Sequence, residues 1–213
     1  MINQTVLRNI ILLFSIVNCH FGWTQNIYKL NEPATPHHIH QGHLKLGGSS
    51  SGGGKMEVNS FYVTENGQPI IPVTGEFHFS RYPENEWEQS ILKIKSGGVT
   101  VIPTYVFWNM HEEYENQFRW DGNLNLRKFV ELCHQHDMRV IVRIGPFCHG
   151  EIRNGGLPDW MLAKPMEVRS NDEKYLYYVK RLYNEIGKQL NGLYYKDGGP
   201  IIGIQIENEH QHS

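Results

Sequence analysis

The chain of 213 residues is long enough for one domain with a sizeable core, and its formal net charge of -2 gives no sign of a nucleic-acid groove or of a surface for anionic lipid. Aromatic residues make up 12% of it, with five Trp, a supply that serves a buried core first and sugar-stacking platforms second. Three Cys without a CxxC spacing argue against both a disulfide framework and a cysteine zinc site.

Met1 to about Gln25 reads as a secretory signal. Arg8 supplies the positive n-region and Ile10 to Val17 the apolar h-region, a run shorter than the about 20 residues that span a bilayer. Export to the periplasm or the exterior is expected, with Cys19 offering a lipoprotein anchor as an alternative and an amphipathic first helix as another. From about residue 26 to residue 57 extends an N-terminal extension with little apolar periodicity. It holds His37, His38, His40 and His43, then a Gly/Ser run from Gly47 to Gly54 that reads as a flexible linker or surface loop. No carboxylate or Cys stands among the histidines at ligand spacing, so no metal site is assigned there.

The pattern changes at Val58. Val58 to Thr64 alternates as a strand should, Glu65-Asn66-Gly67-Gln68 makes a turn, and Ile70 to Phe79 reads as a second strand. Trp87, Ile91, Leu92, Ile94 and Lys95 mark one helical face and its border, closed by Gly97-Gly98. Val99 to Val106 is then a strand and Leu124 to Gln135 a helix, with Leu126, Phe129, Val130 and Cys133 at helical spacing. Met138 to Ile144 is a strand, Asp172 to Leu190 a longer helix, and Pro200 to Ile206 a strand. Cys133 in a helix and Cys148 at a strand end read as structural free thiols.

Strands alternating with helices predict a parallel sheet, either doubly wound or half of an eight-stranded barrel. No GxGxxG or GxxxxGK[ST] follows the first strand, and the polar residues gather at the C-terminal ends of the strands, so a (β/α)8 TIM barrel is expected, with about its first four β/α units over 58–213. Those ends run Gly75 to Tyr82, Thr104 to Glu112, Gly145 to Glu151 and Gln205 to Glu209. Glycoside hydrolysis needs two carboxyl groups flanking the scissile bond. Glu207 and Glu209 are both candidates for one of them, and the pattern of a strand at its end does not choose between them.

The segments Gly75 to Tyr82, Thr104 to Glu112, Gly155 to Trp160 and Gly198 to Glu209 resemble, in order and spacing, the family 35 β-galactosidases. The resemblance implies a retaining glycosidase without metal or organic cofactor, acting on carbohydrate with terminal β-galactose. It implies that Glu209 is the acid/base and that Asn208 bonds the sugar 2-hydroxyl. Tyr105 and Glu151 would grip other galactose hydroxyls, and Glu207 would be a supporting residue. The family's nucleophile belongs to the seventh strand, outside residues 1–213, so this chain by itself is expected to be an inactive portion. Two departures stand out. Residues Cys148 to Asn154 lack the aromatic that follows the glutamate in the family and carry Arg153 nearby, and His210 stands where the family has Tyr. Another terminal sugar within the same clan, and a non-catalytic carbohydrate-binding remnant, are the competing readings.

Overall fold

The computed structural model describes residues 28–30 and 38–210 and divides into two units, Met1–His38 and Ile39–Ser213. The expected signal segment with Cys19, and His37, lie outside the described residues. All the elements below belong to the second unit.

A four-stranded antiparallel meander comes first: β1 (Gly47–Ser49), β2 (Lys55–Val58), β3 (Val63–Glu65) and β4 (Gln68–Ile70). The glycine-serine run, read from sequence as linker or loop, is an edge strand and its turn, closed by Ser50 N donating to Gly54 O at 2.7 Å. Gly47 is required there, because at φ 112° a Cβ would stand 2.5 Å from the Met56 carbonyl oxygen. Val58 to Thr64 is a hairpin rather than one strand. Asn59 Oδ1 accepts from Phe61 N at 2.8 Å and Tyr62 N at 2.9 Å, and this side-chain turn ends the ladder at Val58. The Asn66-Gly67 turn forms as expected, both residues at positive φ and Glu65 paired with Gln68.

Ile70 to Phe79 also differs from the single strand expected, because the chain changes sheets in its course. β4 stops at Ile70, Pro72 has no N–H to give, and residues 73–77 then run parallel to the next strand. Thr74 bridges Val101, Gly75 N donates to Val101 O at 3.1 Å, and Phe77 N donates to Pro103 O at 3.0 Å. Beyond this segment lie the parallel strands β5 (Val101–Tyr105), β6 (Arg139–Arg143) and β7 (Ile201–Gln205). Their register sets Tyr105 beside Arg143 and Arg143 beside Gln205.

The helices lie on one face of this sheet. They are α1 (Trp87–Ser96), α2 (Trp108–His111), α3 (Leu126–Gln135), α4 (Asp159–Leu162) and α5 (Glu173–Leu190). Asn125 caps α3 by accepting from Lys128 N at 3.0 Å, and Asp172 caps α5 by accepting from Lys174 N at 2.8 Å. Leu126, Phe129, Val130 and Cys133 form one buried stripe of α3, in one core with Ile102, Val140 and Val142 of the strands, Val106 just after β5, and Trp87 and Ile91 of α1. Each large apolar side chain fully buried here contributes about 1.5–3 kcal/mol. Cys133 and Cys148 are buried free thiols, and burial pushes the Cys148 thiol up to about 12. Tyr105 and Arg143, of parity opposite to Ile102, Val140 and Val142, stand on the face turned away from the helices, where period-two alternation places them, and the register shift between β6 and β7 brings Gln205 beside Arg143.

Gly199 shows how closely the turn before β7 is packed. A Cβ there would come 2.1 Å from the Leu193 carbonyl oxygen, which is backbone and has no rotamer to change. Gly199→Ala is therefore expected to cost about 1–3 kcal/mol, read as a lower denaturation midpoint at unchanged slope. An unchanged midpoint would show that the turn relaxes freely.

Candidate active site

The C-terminal ends of the parallel strands hold a connected polar chain. His78 Nδ1 accepts from Arg81 Nη1 at 3.3 Å, which leaves the proton on Nε2, and Nε2 donates to Glu76 Oε1 at 2.7 Å. The other oxygen of Glu76 accepts from Arg143 Nη1 at 2.6 Å. Arg143 Nη2 in turn donates to Asn208 Oδ1 at 2.8 Å, an oxygen that also receives Gln205 Nε2 at 3.3 Å. Residues from the first, third and fourth parallel segments are joined in this way.

The second strand contributes Tyr105. Its ring lies under the Arg143 guanidinium at 4.1 Å, stacks on Phe107 at 5.2 Å, and meets the edge of His78 at 4.9 Å. Burial raises the Tyr105 phenol above its ordinary value and the Glu76 charge adds to this, while Arg143 opposes it, so the hydroxyl stays protonated and able to donate. Asn208 is 9% exposed, and its fixed Oδ1 directs the amide so that Nδ2 is the group available to a ligand.

Glu151 is reached through Arg81, whose Nη2 donates to the carbonyls of Gly150 at 2.7 Å and Glu151 at 3.1 Å while the guanidinium lies 4.6 Å from the Phe107 ring centre. The Glu151 side chain is exposed and, among the described residues, makes no hydrogen bond or ion pair. The same holds for Glu209. Thus Tyr105 and Asn208 are joined through Arg143, Glu151 is on the adjoining loop, and Glu209 follows Asn208 with its carboxylate open to solvent.

Glu207 is committed elsewhere. It forms an ion pair with Arg169 at 3.1 Å and accepts from Phe147 N at 3.3 Å, the contacts of a residue that ties two loops together. The backbone around these residues is strained: His149, Glu151, Arg169, Glu207 and Glu209 all have φ between 46° and 60°. Each such residue costs about 1–3 kcal/mol and persists only where its surroundings over-determine it, as they commonly do at functional sites.

His111 and Glu112 belong to the other side of the sheet. Glu112 is fully buried, pairs with Arg181, and accepts from Trp108 Nε1 and Asn116 N, each at 2.7 Å. His111 is buried against Trp120 with ring centres 4.2 Å apart, and burial lowers it to about 4, so it is neutral at neutral pH. Arg143, Arg169, Glu76 and His78 were not among the residues assigned from sequence. For Arg143 there was a signal, because it shares the parity of Tyr105 and Gln205 as a charge within an apolar strand. Arg169 gave none, being a loop residue whose partners are about forty positions away.

Parallel strands with interleaved helices, and polar groups gathered at the strand ends, define part of a (β/α)-barrel of the glycosidase kind. One solved relative in fold is the exo-beta-1,4-mannosidase Op5Man5 from Opitutaceae bacterium strain TAV5, with a TM-score of 0.54 and 15% identity, covering 76% of this chain and 26% of that one. The glycosyl hydrolases family 35 model matches residues 62–213, and the chain belongs to that family. It is 36% identical over 157 residues to the beta-galactosidase of Mus musculus, covering 73% of this chain and 24% of that protein. It is 41% identical over 150 residues to beta-galactosidase 11 of Oryza sativa subsp. japonica, covering 69% and 18%. The chain therefore spans about a quarter or less of the length of these curated relatives.

Proposed function

We propose that this chain supplies the acid/base and part of the sugar-binding wall of a retaining exo-β-galactosidase. The observation that carries the reading is the hydrogen-bond chain from Arg81 through His78, Glu76 and Arg143 to Asn208, which holds the Asn208 amide beside an uncommitted Glu209. In the first step Glu209 gives its proton to the glycosidic oxygen as the bond to the anomeric carbon breaks. In the second step it takes a proton from the incoming water. Asn208 Nδ2 donates to the sugar 2-hydroxyl, a bond that tightens as the anomeric carbon becomes cationic. Tyr105 and Glu151 hold other hydroxyls, the one as donor and the other as acceptor. The nucleophilic carboxylate, about 5–5.5 Å from the acid in retaining enzymes, comes from residues outside this chain.

The beta-galactosidase names of the relatives support galactose as the sugar. Ile152 and Arg153 on the Glu151 loop favour a second reading, the same chemistry on a different terminal β-sugar. A panel of nitrophenyl β-glycosides, assayed with the full-length protein that carries this chain, separates the two. Hydrolysis of the β-galactoside with kcat/KM at least tenfold above that of every other sugar is expected. A preference for another sugar would move the assignment to that sugar, and no turnover on any would overturn the enzymatic reading.

A further inference from the structure

Arg169 touches three residues of the segment 207–210, and the one it leaves alone is Glu209. Its Nε donates to Glu207 Oε2 at 3.2 Å, and its Nη2 donates to the Asn208 carbonyl at 2.7 Å. Its own carbonyl accepts from His210 Nε2 at 2.8 Å. The guanidinium lies 3.7 Å from the Phe147 ring centre, and the Phe147 N–H completes the hold on Glu207 at 3.3 Å. Arg169 itself has φ 58°, facing a segment in which Glu207 and Glu209 have φ 59° and 46°. A left-handed conformation at a non-glycine residue lasts only where its neighbours enforce it, and Arg169 provides contacts on both sides of Glu209 in sequence.

We infer that Arg169 is the positioning residue for the acid: it fixes the segment 207–210, with its left-handed Glu207 and Glu209, and so aims the Glu209 carboxyl without touching it. Planarity and five donors in a fixed fork suit this task, since one guanidinium serves a carboxylate and a carbonyl at once while stacked on a ring. A lysine ammonium has the charge but not the fork. The inference rests on Glu209 as the acid, and it is independent of which sugar the enzyme removes.

The test compares Arg169→Met, Arg169→Lys and Glu209→Gln in the full-length protein on two glycosides of the preferred sugar. One has a poor leaving group (methyl or a second sugar) and one a dinitrophenolate, and the melting temperature of each variant is measured alongside. Misaimed protonation slows bond cleavage where protonation is needed. Arg169→Met is therefore expected to lower kcat/KM on the poor leaving group by about 10²-fold and on the dinitrophenyl glycoside by less than about tenfold. Arg169→Lys should fall between Met and wild type on the poor leaving group. If Glu209→Gln shows this leaving-group dependence and Arg169→Met loses equally on both substrates, Arg169 is merely structural and the inference fails alone. If Glu209→Gln shows none, the assignment of the acid fails and the inference with it.

Discussion

Glu209→Gln in the full-length protein is expected to slow hydrolysis of unactivated β-galactosides by about 10²–10⁴-fold, the usual contribution of a positioned general acid. An alkoxide leaves poorly unless it is protonated as it departs, and the glutamine amide has no proton to give at a useful pKa. A dinitrophenolate leaves unaided, so formation of the covalent intermediate from that substrate should be little affected. Its breakdown, which needs Glu209 as base, then becomes limiting and appears as a burst. Glu207→Gln provides the contrast. Its carboxylate is engaged with Arg169 and Phe147 N, so its loss should lower stability, with a leaving-group dependence far below that of Glu209→Gln and no larger than that of Arg169→Met. Equal losses in kcat/KM on both substrates in Glu209→Gln would assign Glu209 to binding and reopen the choice between the two glutamates.

That choice shows where the sequence stops being informative. Elements whose formation depends on local chemistry were legible from the residues: the Asn66-Gly67 turn, the α3 stripe from Leu126 to Cys133, and the Asp172 start of α5. The Asn59 turn escaped because Asn59 sits in an alternating run, and its side-chain bonds to Phe61 N and Tyr62 N outweigh the strand pattern. The change of sheet near Pro72 escaped because the apolar run continues through it, and only the lost N–H marks the break. In the site, the expected residues sit at the strand ends because the topology carries them there. The groups that orient them, Arg143 and Arg169, reach across about forty to nearly seventy positions of sequence, and no local spacing encodes such a pairing.

Glu112→Ala is expected to destabilise the domain by about 3–5 kcal/mol, although it removes no residue assigned to substrate. The carboxylate is fully buried and serves Arg181, Trp108 Nε1 and Asn116 N together, while its backbone carbonyl accepts Trp160 Nε1 at 2.9 Å. Truncation leaves the Arg181 guanidinium among the rings of Phe118, Trp160 and Tyr178 without its counter-charge, and leaves the buried Trp108 N–H without an acceptor. The melting temperature should fall with the stability. Adding Arg181→Met to Glu112→Ala should cost much less than Arg181→Met costs alone. The charge it removes is one the first substitution has already left unpaired, and the methionine fits the aromatic surroundings. Denaturant melts of the two single variants and the double variant measure this coupling. Losses that simply add would show that Glu112 and Arg181 act separately, and that the histidine-glutamate end of the Thr104 to Glu112 motif owes its place to something other than this ion pair.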